Sequence, residues 1–357
     1  MIKENPFITS FGTINDETYI ERIDEENKII DDFNRQTSSS NAYMVAGVRG
    51  MGKTAFITHL TDKIVEKNKE WIVVNLSSQN DLLRSLAANL QAHSVLNSKF
   101  VEMKLDFSLL GIGVSIQGGT KISDEEVMVR QMLTVVKKLN KKVLVTIDEA
   151  SNQDNMRKFA SSFQIYIRER LPIYLIMTGL YKNIRSLQSA KNMTFLKRTP
   201  RIDIGPLGLN SISKKYEKII GVSFEEAVNL AKITKGYSYA YSLLGNIIWD
   251  SEDKKDDSKI VHELIDILEQ RSYDQIWNEL TDKEKEFLIY MAEAKNSDSD
   301  VVPVSEIVRR SNDSSALINE YRNRLIENGL IYAPKHGSIA FVLPFFDESI
   351  NRLKLFG

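Results

Sequence analysis

The sequence predicts an α/β fold with a doubly wound parallel sheet, followed by a small helical lid domain and a C-terminal winged helix. Three observations predict it. Apolar runs of strand length alternate with amphipathic helical stretches as far as Pro206. A glycine-rich turn, Gly47-Val48-Arg49-Gly50-Met51-Gly52-Lys53-Thr54, joins the first of these runs to the helix after it. Beyond Leu207 the apolar residues keep helical spacing until a closing two-strand pattern around a Pro-Lys-His-Gly-Ser turn.

Taken in order, residues 1–19 carry Pro6, Gly12 and apolar residues without a period, an irregular segment lying on a domain. Ile20, Ile23, Ile29, Ile30 and Phe33 have helical spacing, and Ser38-Ser39-Ser40-Asn41 is a polar loop before the first strand. Strand, turn and helix fill about 42–68, Trp71–Leu76 is a second strand, and a helix follows over 80–94. The stretch 97–122 reads as an inserted hairpin or a flexible insert, because Leu105–Leu110 and Gly113–Ile116 flank glycines. Asp124–Asn140 is helical. Lys142–Ile147 is a continuous apolar run, the pattern of a strand buried on both faces of a parallel sheet. A helix at 152–170 and a strand over Ile173–Thr178 repeat the alternation. Phe224–Thr234, Tyr237–Trp249 and Val261–Leu280 give the helical domain, interrupted by a charged loop, Asp250–Lys259. Three helices and the pair Gly329–Tyr332 and Ile339–Val342 close the chain as a winged helix. The expected domains are 1–206, which takes in the N-terminal segment and the insert, then 207–280 and 281–357.

At 357 residues, with 42% hydrophobic and 27% charged side chains, the chain has the composition of a globular protein with a sizeable core. The formal charge of −1 supplies no global attraction to nucleic acid or to an anionic membrane. Absence of cysteine excludes disulfides, thiolate metal sites and thiol nucleophiles. The N-terminal residues lack the apolar core of a signal peptide, and no run of about 18 apolar residues occurs. A cytoplasmic protein without membrane contact is the expectation.

Gly47–Thr54 has the spacing of a P-loop, GxxxxGK[ST], so the sheet is expected to be of the P-loop NTPase kind. A triphosphate is bound mainly by backbone N–H groups, so Gly47, Gly50 and Gly52 let the chain wrap closely round phosphate oxygens. Val48, Arg49, Met51 and Ala55 complete the cradle, at the positive end of the helix that follows. Lys53 reaches the β- and γ-phosphates, and the Thr54 hydroxyl is a Mg2+ ligand. The pair Asp148-Glu149 ends the most apolar strand, on the side where open α/β sheets bind ligands. Asp148 is the second candidate for Mg2+, and Glu149 the candidate to polarise an attacking water. The expected cofactors are ATP and Mg2+. The four histidines lack ligand spacing, so no metal site beyond Mg2+ is expected.

The order P-loop, Ile147-Asp148-Glu149, strand ending in Thr178, helical domain and winged helix resembles an AAA+ ATPase of the origin-recognition type. It is similar also to the archaeal- and bacterial-type ATPases of the STAND, or signal-transduction NTPase, group. Glu21-Arg22-Ile23-Asp24-Glu25-Glu26 is similar to the GRxxE box of those proteins, with Glu21 in place of glycine. The resemblance implies that Ile20 and Ile23 lie near the adenine. It implies that Thr178 takes the sensor-1 place beside the γ-phosphate or the water. It also places Arg198, with Arg201 second, where a neighbouring subunit's arginine enters the site of an AAA+ ring. The sensor-2 arginine is missing: the corresponding region reads Lys235-Gly236-Tyr237-Ser238-Tyr239-Ala240-Tyr241, nearer the GxP turn of STAND proteins with Ser238 at the proline. Tyr237, Tyr239 and Tyr241 read as packing between domains rather than a base-stacking platform.

A winged helix invites DNA. Its recognition-helix candidate is Ser314–Asn328, offering Asn319, Arg322 and Arg324, with Lys335 and His336 at the wing tip. Residues 281–357 nonetheless carry ten basic against twelve acidic side chains, a net of −2, which is unfavourable for phosphate contact. The first functional reading is an ATP-binding and hydrolysing switch whose nucleotide state controls domain closure and the binding of a protein partner. The alternative is an ATP-dependent DNA-binding initiator or transposition-type regulator acting as a homo-oligomer. A non-hydrolysing interaction module is the third.

Overall fold

The apolar runs at 42–46, 71–76, 142–147 and 173–178 become strands of one parallel sheet. A computed structural model describes residues 4–10, 12–35, 38–106, 108, 120–121, 124–191, 194–251, 257–296 and 299–356. Its strands are β1 (Ala42–Ala46), β2 (Trp71–Ser77), β3 (Leu105–Asp106), β4 (Thr120–Lys121), β5 (Lys142–Asp148), β6 (Ile173–Gly179), β7 (Arg201–Asp203), β8 (Val301–Pro303), β9 (Ile331–Tyr332) and β10 (Ser338–Phe341). The chain divides into two compact units, each discontinuous in sequence. One consists of Arg22–Ala46 and Phe56–Asp203, the other of Met1–Glu21, Gly47–Ala55 and Ile204–Gly357.

The first unit holds the sheet, in the order β2-β5-β6-β1-β7 with every pair parallel. Parallel strands need crossovers, and helices over both faces bury both sides of each strand. Ala42, Met44, Ile72, Val74, Val143, Val145, Ile173 and Leu175 share one core with Leu86 and Leu90, Met132 and Leu133, and Phe159 and Phe163. On the alternate residues, Tyr43, Trp71 and Tyr174 gather round Phe33 of the helix Ile23–Asn34 at centroid distances of 5.6, 6.0 and 4.9 Å. This is the doubly wound arrangement that the sequence predicts.

The hairpin expected over Leu105–Leu110 and Gly113–Ile116 falls largely outside the described residues. A helix, Ser94–Glu102, occupies the start of the insert, and β3 pairs with β4 in parallel. Phe107 and most of the residues between these two strands lie outside the described residues. So do residues 252–256 of the charged loop.

Asp32 organises the entry to β1. Its carboxylate accepts the Ser39 N–H and hydroxyl (both 2.8 Å), the Ser40 N–H (3.1 Å) and the Tyr43 hydroxyl (2.9 Å). Burial opposes its charge, but these donors outweigh it and hold its pKa below the ordinary value of 3.8. The same environment pushes Tyr43 up to about 12, through burial and then its bond to Asp32. Asp32→Ala is expected to cost about 1–3 kcal/mol by leaving buried donors without an acceptor. Because the folded pKa is depressed, this stabilisation is present above the ordinary value and is lost as pH falls through the lower folded one. Thermal unfolding of wild type and variant should therefore differ at neutral pH and converge in acid; equal midpoints at neutral pH would refute the assignment.

In the second unit the N-terminal segment lies on helical residues. Phe7 sits against Gly245, whose place tolerates no Cβ: one would come within 2.5 Å of the ring. Asn246 donates to Phe7 O at 2.8 Å, and the Tyr241 hydroxyl donates to Thr18 O at 2.8 Å. The helical part comprises Leu209–Ile220, Phe224–Thr234, Ser238–Asp250 and Asp257–Leu268, then a π-helical turn, Glu269–Tyr273, and a short helix, Asp274–Asn278. Thr281 and Glu284 form a capping box that opens the last module. There the order is helix Asp282–Ala294, β8, helix Val304–Arg310, helix Ser315–Glu327, β9 and β10, with an antiparallel sheet β8-β10-β9 and a closing helix, Phe346–Phe356.

Candidate functional site

Glycine is required in the P-loop for reasons that differ from position to position. Gly50 and Gly52 have φ of +74° and +90°, the left-handed region that side chains avoid. Gly47 has ordinary φ, but a Cβ there would lie 3.0 Å from Ile204 O. Val48 and Met51 are buried, so the loop is anchored by its two apolar members. Lys53 is the first residue of the helix Lys53–Lys67, and its ammonium folds back onto Gly47 O (3.1 Å) and Val48 O (2.9 Å). The Met51 N–H also donates to Val48 O, at 3.3 Å. Thr54 and Ala55 continue the first helical turn, both half-buried.

Outside the loop, the carbonyls of Arg49, Gly50 and Met51 are each taken by a donor from the turn that starts the helix Ser238–Asp250. The Tyr237 hydroxyl donates to Arg49 O (3.0 Å), the Tyr239 N–H to Gly50 O (3.0 Å) and the Ser238 hydroxyl to Met51 O (2.9 Å). Gly50 is glycine for this reason too: a Cβ would stand 2.0 Å from the Tyr237 hydroxyl oxygen. Arg49 also pairs with Glu279 at 3.5 Å. None of these partners was anticipated from the sequence, where the three tyrosines read only as packing. The signal was the change from Lys235 and Gly236 to an apolar helix, since both adopt positive φ and mark a tight turn.

At the carboxyl edge of the sheet, Asp148 ends β5 in register with Ser77 of β2. Its Oδ1 accepts the Glu149 N–H at 3.0 Å and the hydroxyl of the buried Thr178 on β6. Glu149 is exposed with φ +54°, a strained conformation that concentrates at functional positions. The Ala150 N–H donates to Thr178 O at 2.7 Å, tying the turn after Glu149 to β6. The two acids stand in different settings: Asp148 is half-buried and oriented, whereas Glu149 is exposed.

A search of solved structures returns a Walker-type ATPase of Pyrococcus abyssi, 14% identical, with a TM-score of 0.65 over 94% of this chain and 97% of that one. This chain has the fold of a P-loop AAA+ ATPase. Two further matches are the ORC2 protein of Aeropyrum pernix in ADPNP and ADP complexes (12% identity, 98% of both chains, TM-score 0.49) and a STAND protein with a tetratricopeptide repeat sensor from Pyrococcus horikoshii (18%, 94% of this chain and 42% of that one, TM-score 0.42). A family model described as a domain of unknown function (DUF8462) matches residues 270–350. No curated protein sequence matches.

On this AAA+ fold the remaining predicted positions fare differently. Arg198 ends the helix Thr194–Arg198 and is exposed, whereas Arg201 is held by Asp203 of its own strand at 2.8 Å. Ile23 is 58% exposed at the start of its helix, and Ile20 is half-buried. In the acidic box it is Glu26, next to the matched Glu25, that is fully buried, between His59 Nδ1 (3.0 Å) and Lys63 Nζ (2.9 Å). Arg324 of the recognition-helix candidate is engaged by Glu284 at 3.3 Å, Arg322 is half-buried, and Asn319, Lys335 and His336 are exposed. Among the described residues no group of three or more His, Asp and Glu is placed to hold a metal, and no helix is long and apolar enough to cross a membrane.

Proposed function

We propose that this protein is a Mg2+-dependent ATP-binding and hydrolysing switch whose nucleotide state governs domain closure and the engagement of a protein partner. The observation that carries the reading is the P-loop conformation, with left-handed Gly50 and Gly52 ahead of Lys53 at a helix start. In this reading the backbone of Gly47–Ala55 cradles the phosphates, Lys53 exchanges its two loop carbonyls for β- and γ-phosphate oxygens, and Ile20 and Ile23 border the base. Thr54 and Asp148 are the Mg2+ ligands. Both are oxygen donors, the ligand class that Mg2+ takes. Bound Mg2+ would neutralise charge developing on the phosphates. Glu149 polarises the attacking water, Thr178 holds Asp148 and senses the γ-phosphate, and Arg198 serves a neighbouring copy if the protein assembles.

The last module is read as a winged helix, and its charges favour protein over DNA. Of its ten basic residues, Lys283, Lys295, Arg309, Arg310, Arg324, Arg352 and Lys354 are in ion pairs, and Lys285 lies over the Trp277 ring. Phosphates would have to compete with these carboxylates. The DNA-binding initiator remains the second reading, resting on Asn319, Lys335 and His336.

Titration of the full chain with ATP and Mg2+ tests the proposal. Lys53→Ala is expected to weaken binding on the order of 100-fold, the range for removing one member of a buried charge-assisted contact. Undiminished affinity in folded Lys53→Ala protein, or no binding by wild type, would sink it. Size-exclusion mass in ATP and in ADP, with and without duplex DNA, then separates the two partner readings.

A further inference from the structure

The P-loop carbonyls that Tyr237, Ser238 and Tyr239 hold are not spectators. In a trans peptide the C=O of one residue and the N–H of the next lie in one plane and point in opposite directions. Fixing Arg49 O therefore fixes the Gly50 N–H, and fixing Met51 O fixes the Gly52 N–H. These are the amides of the two residues whose left-handed φ shapes the cradle. Their direction is set by a turn 187 and 188 residues away in sequence.

The donor chain can be assigned. Tyr237 has one hydroxyl proton, and a carbonyl only accepts, so that proton goes to Arg49 O. The oxygen of Ser272, 2.7 Å away, must then be the donor to Tyr237 Oη. Both side chains are buried, Tyr237 fully and Ser272 to 2% exposure. Ser272 belongs to the π-helical turn Glu269–Tyr273, a local irregularity often found at functional positions. The next residue, Tyr273, stacks on Tyr237 at 6.4 Å, donates its hydroxyl to Pro344 O at 2.6 Å and meets Phe346 edge-on at 5.1 Å. A continuous run of buried contacts thus joins the outside of the P-loop to the end of the last module.

We infer that Tyr237 and Ser238 are positioning residues for the nucleotide, acting through the P-loop carbonyls, and that Ser272 sets the Tyr237 hydroxyl for this task. This inference rests on the ATP reading above and deepens it: the amide cradle is shaped from outside, and the shaping turn is wired to the C-terminal module. Ser238 occupies the place where a proline is expected in a GxP turn, and a proline has no hydroxyl to give to Met51 O.

The test is equilibrium binding of ATP with Mg2+, and of ADP, to full-length wild type, Tyr237→Phe, Ser238→Ala, Ser238→Thr, Ser272→Ala and the Tyr237→Phe/Ser272→Ala pair, with Lys53→Ala as the reference for a lost site. Tyr237→Phe keeps the ring against Tyr273 and removes only the hydroxyl. It is expected to weaken ATP binding about tenfold, as is Ser238→Ala, each by one lost buried hydrogen bond. Ser238→Thr should restore affinity. The double variant should bind no more weakly than Tyr237→Phe alone, because Ser272 acts only through Tyr237; a purely packing role would give additive losses in stability and no such pattern in affinity. Folded Tyr237→Phe and Ser238→Ala proteins with wild-type affinity, while Lys53→Ala has lost binding, would overturn this inference and leave the ATP reading standing. Wild type that binds no ATP would overturn both.

Discussion

Glu149→Gln is expected to leave ATP bound and to lower turnover on the order of 10²–10⁴-fold, the range for loss of a positioned proton acceptor. The amide matches the carboxylate in size and keeps the left-handed backbone at φ +54° as costly as before, so the fold has no reason to change. What it lacks is charge to polarise a water. Asp148→Asn should behave differently. Asp148 Oδ1 accepts from the Glu149 N–H and the Thr178 hydroxyl, so the substitution disturbs an oriented group and a proposed metal ligand together. It is expected to weaken binding of ATP with Mg2+ as well as turnover. Steady-state hydrolysis measured beside equilibrium binding separates the two acids; wild-type turnover in Glu149→Gln would remove Glu149 from the chemistry.

Gly50→Ala is expected to be among the most damaging single substitutions in the chain. Its Cβ would stand 2.0 Å from the Tyr237 hydroxyl oxygen and 2.6 Å from Cζ, and φ is +74°. Left-handed strain costs about 1–2 kcal/mol and forced overpacking about 1–3, so a loss of about 2–5 kcal/mol follows. Gly221→Ala isolates the first contribution: φ is +79° there, with nothing within 4 Å. Thermal unfolding of the two variants should show Gly50→Ala as clearly the worse. Equal losses would mean that Tyr237 yields readily, and would weaken the case that it shapes the loop.

Much of the sheet could be read in advance because it is written in short-range patterns. Val143–Ile147 is apolar but for Thr146, as a strand covered on both faces must be, and it forms most of β5, an interior strand of the order. The P-loop was legible because left-handed φ and close approach leave glycine as the residue of choice at Gly50 and Gly52. The partners of that loop were not legible. Tyr237 and Ser238 meet it across some 187 positions, and no local periodicity encodes such a contact. The apparent period of two in Tyr237, Tyr239 and Tyr241 dissolves once the helix is seen to begin at Ser238: Tyr237 faces Arg49 O, while Tyr241 lies one turn on and reaches Thr18 O.

The donors that grip the P-loop also set a schedule. During synthesis Gly50 leaves the ribosome early, yet the hydroxyl and amide that hold its neighbours arrive only with Tyr237, Ser238 and Tyr239. At about 5–20 residues per second the wait is roughly 10–40 s. Throughout that interval the nascent chain carries the glycines and Lys53 without the brace that shapes them, so a nascent chain arrested before Tyr237 should hold nucleotide less well than the released protein.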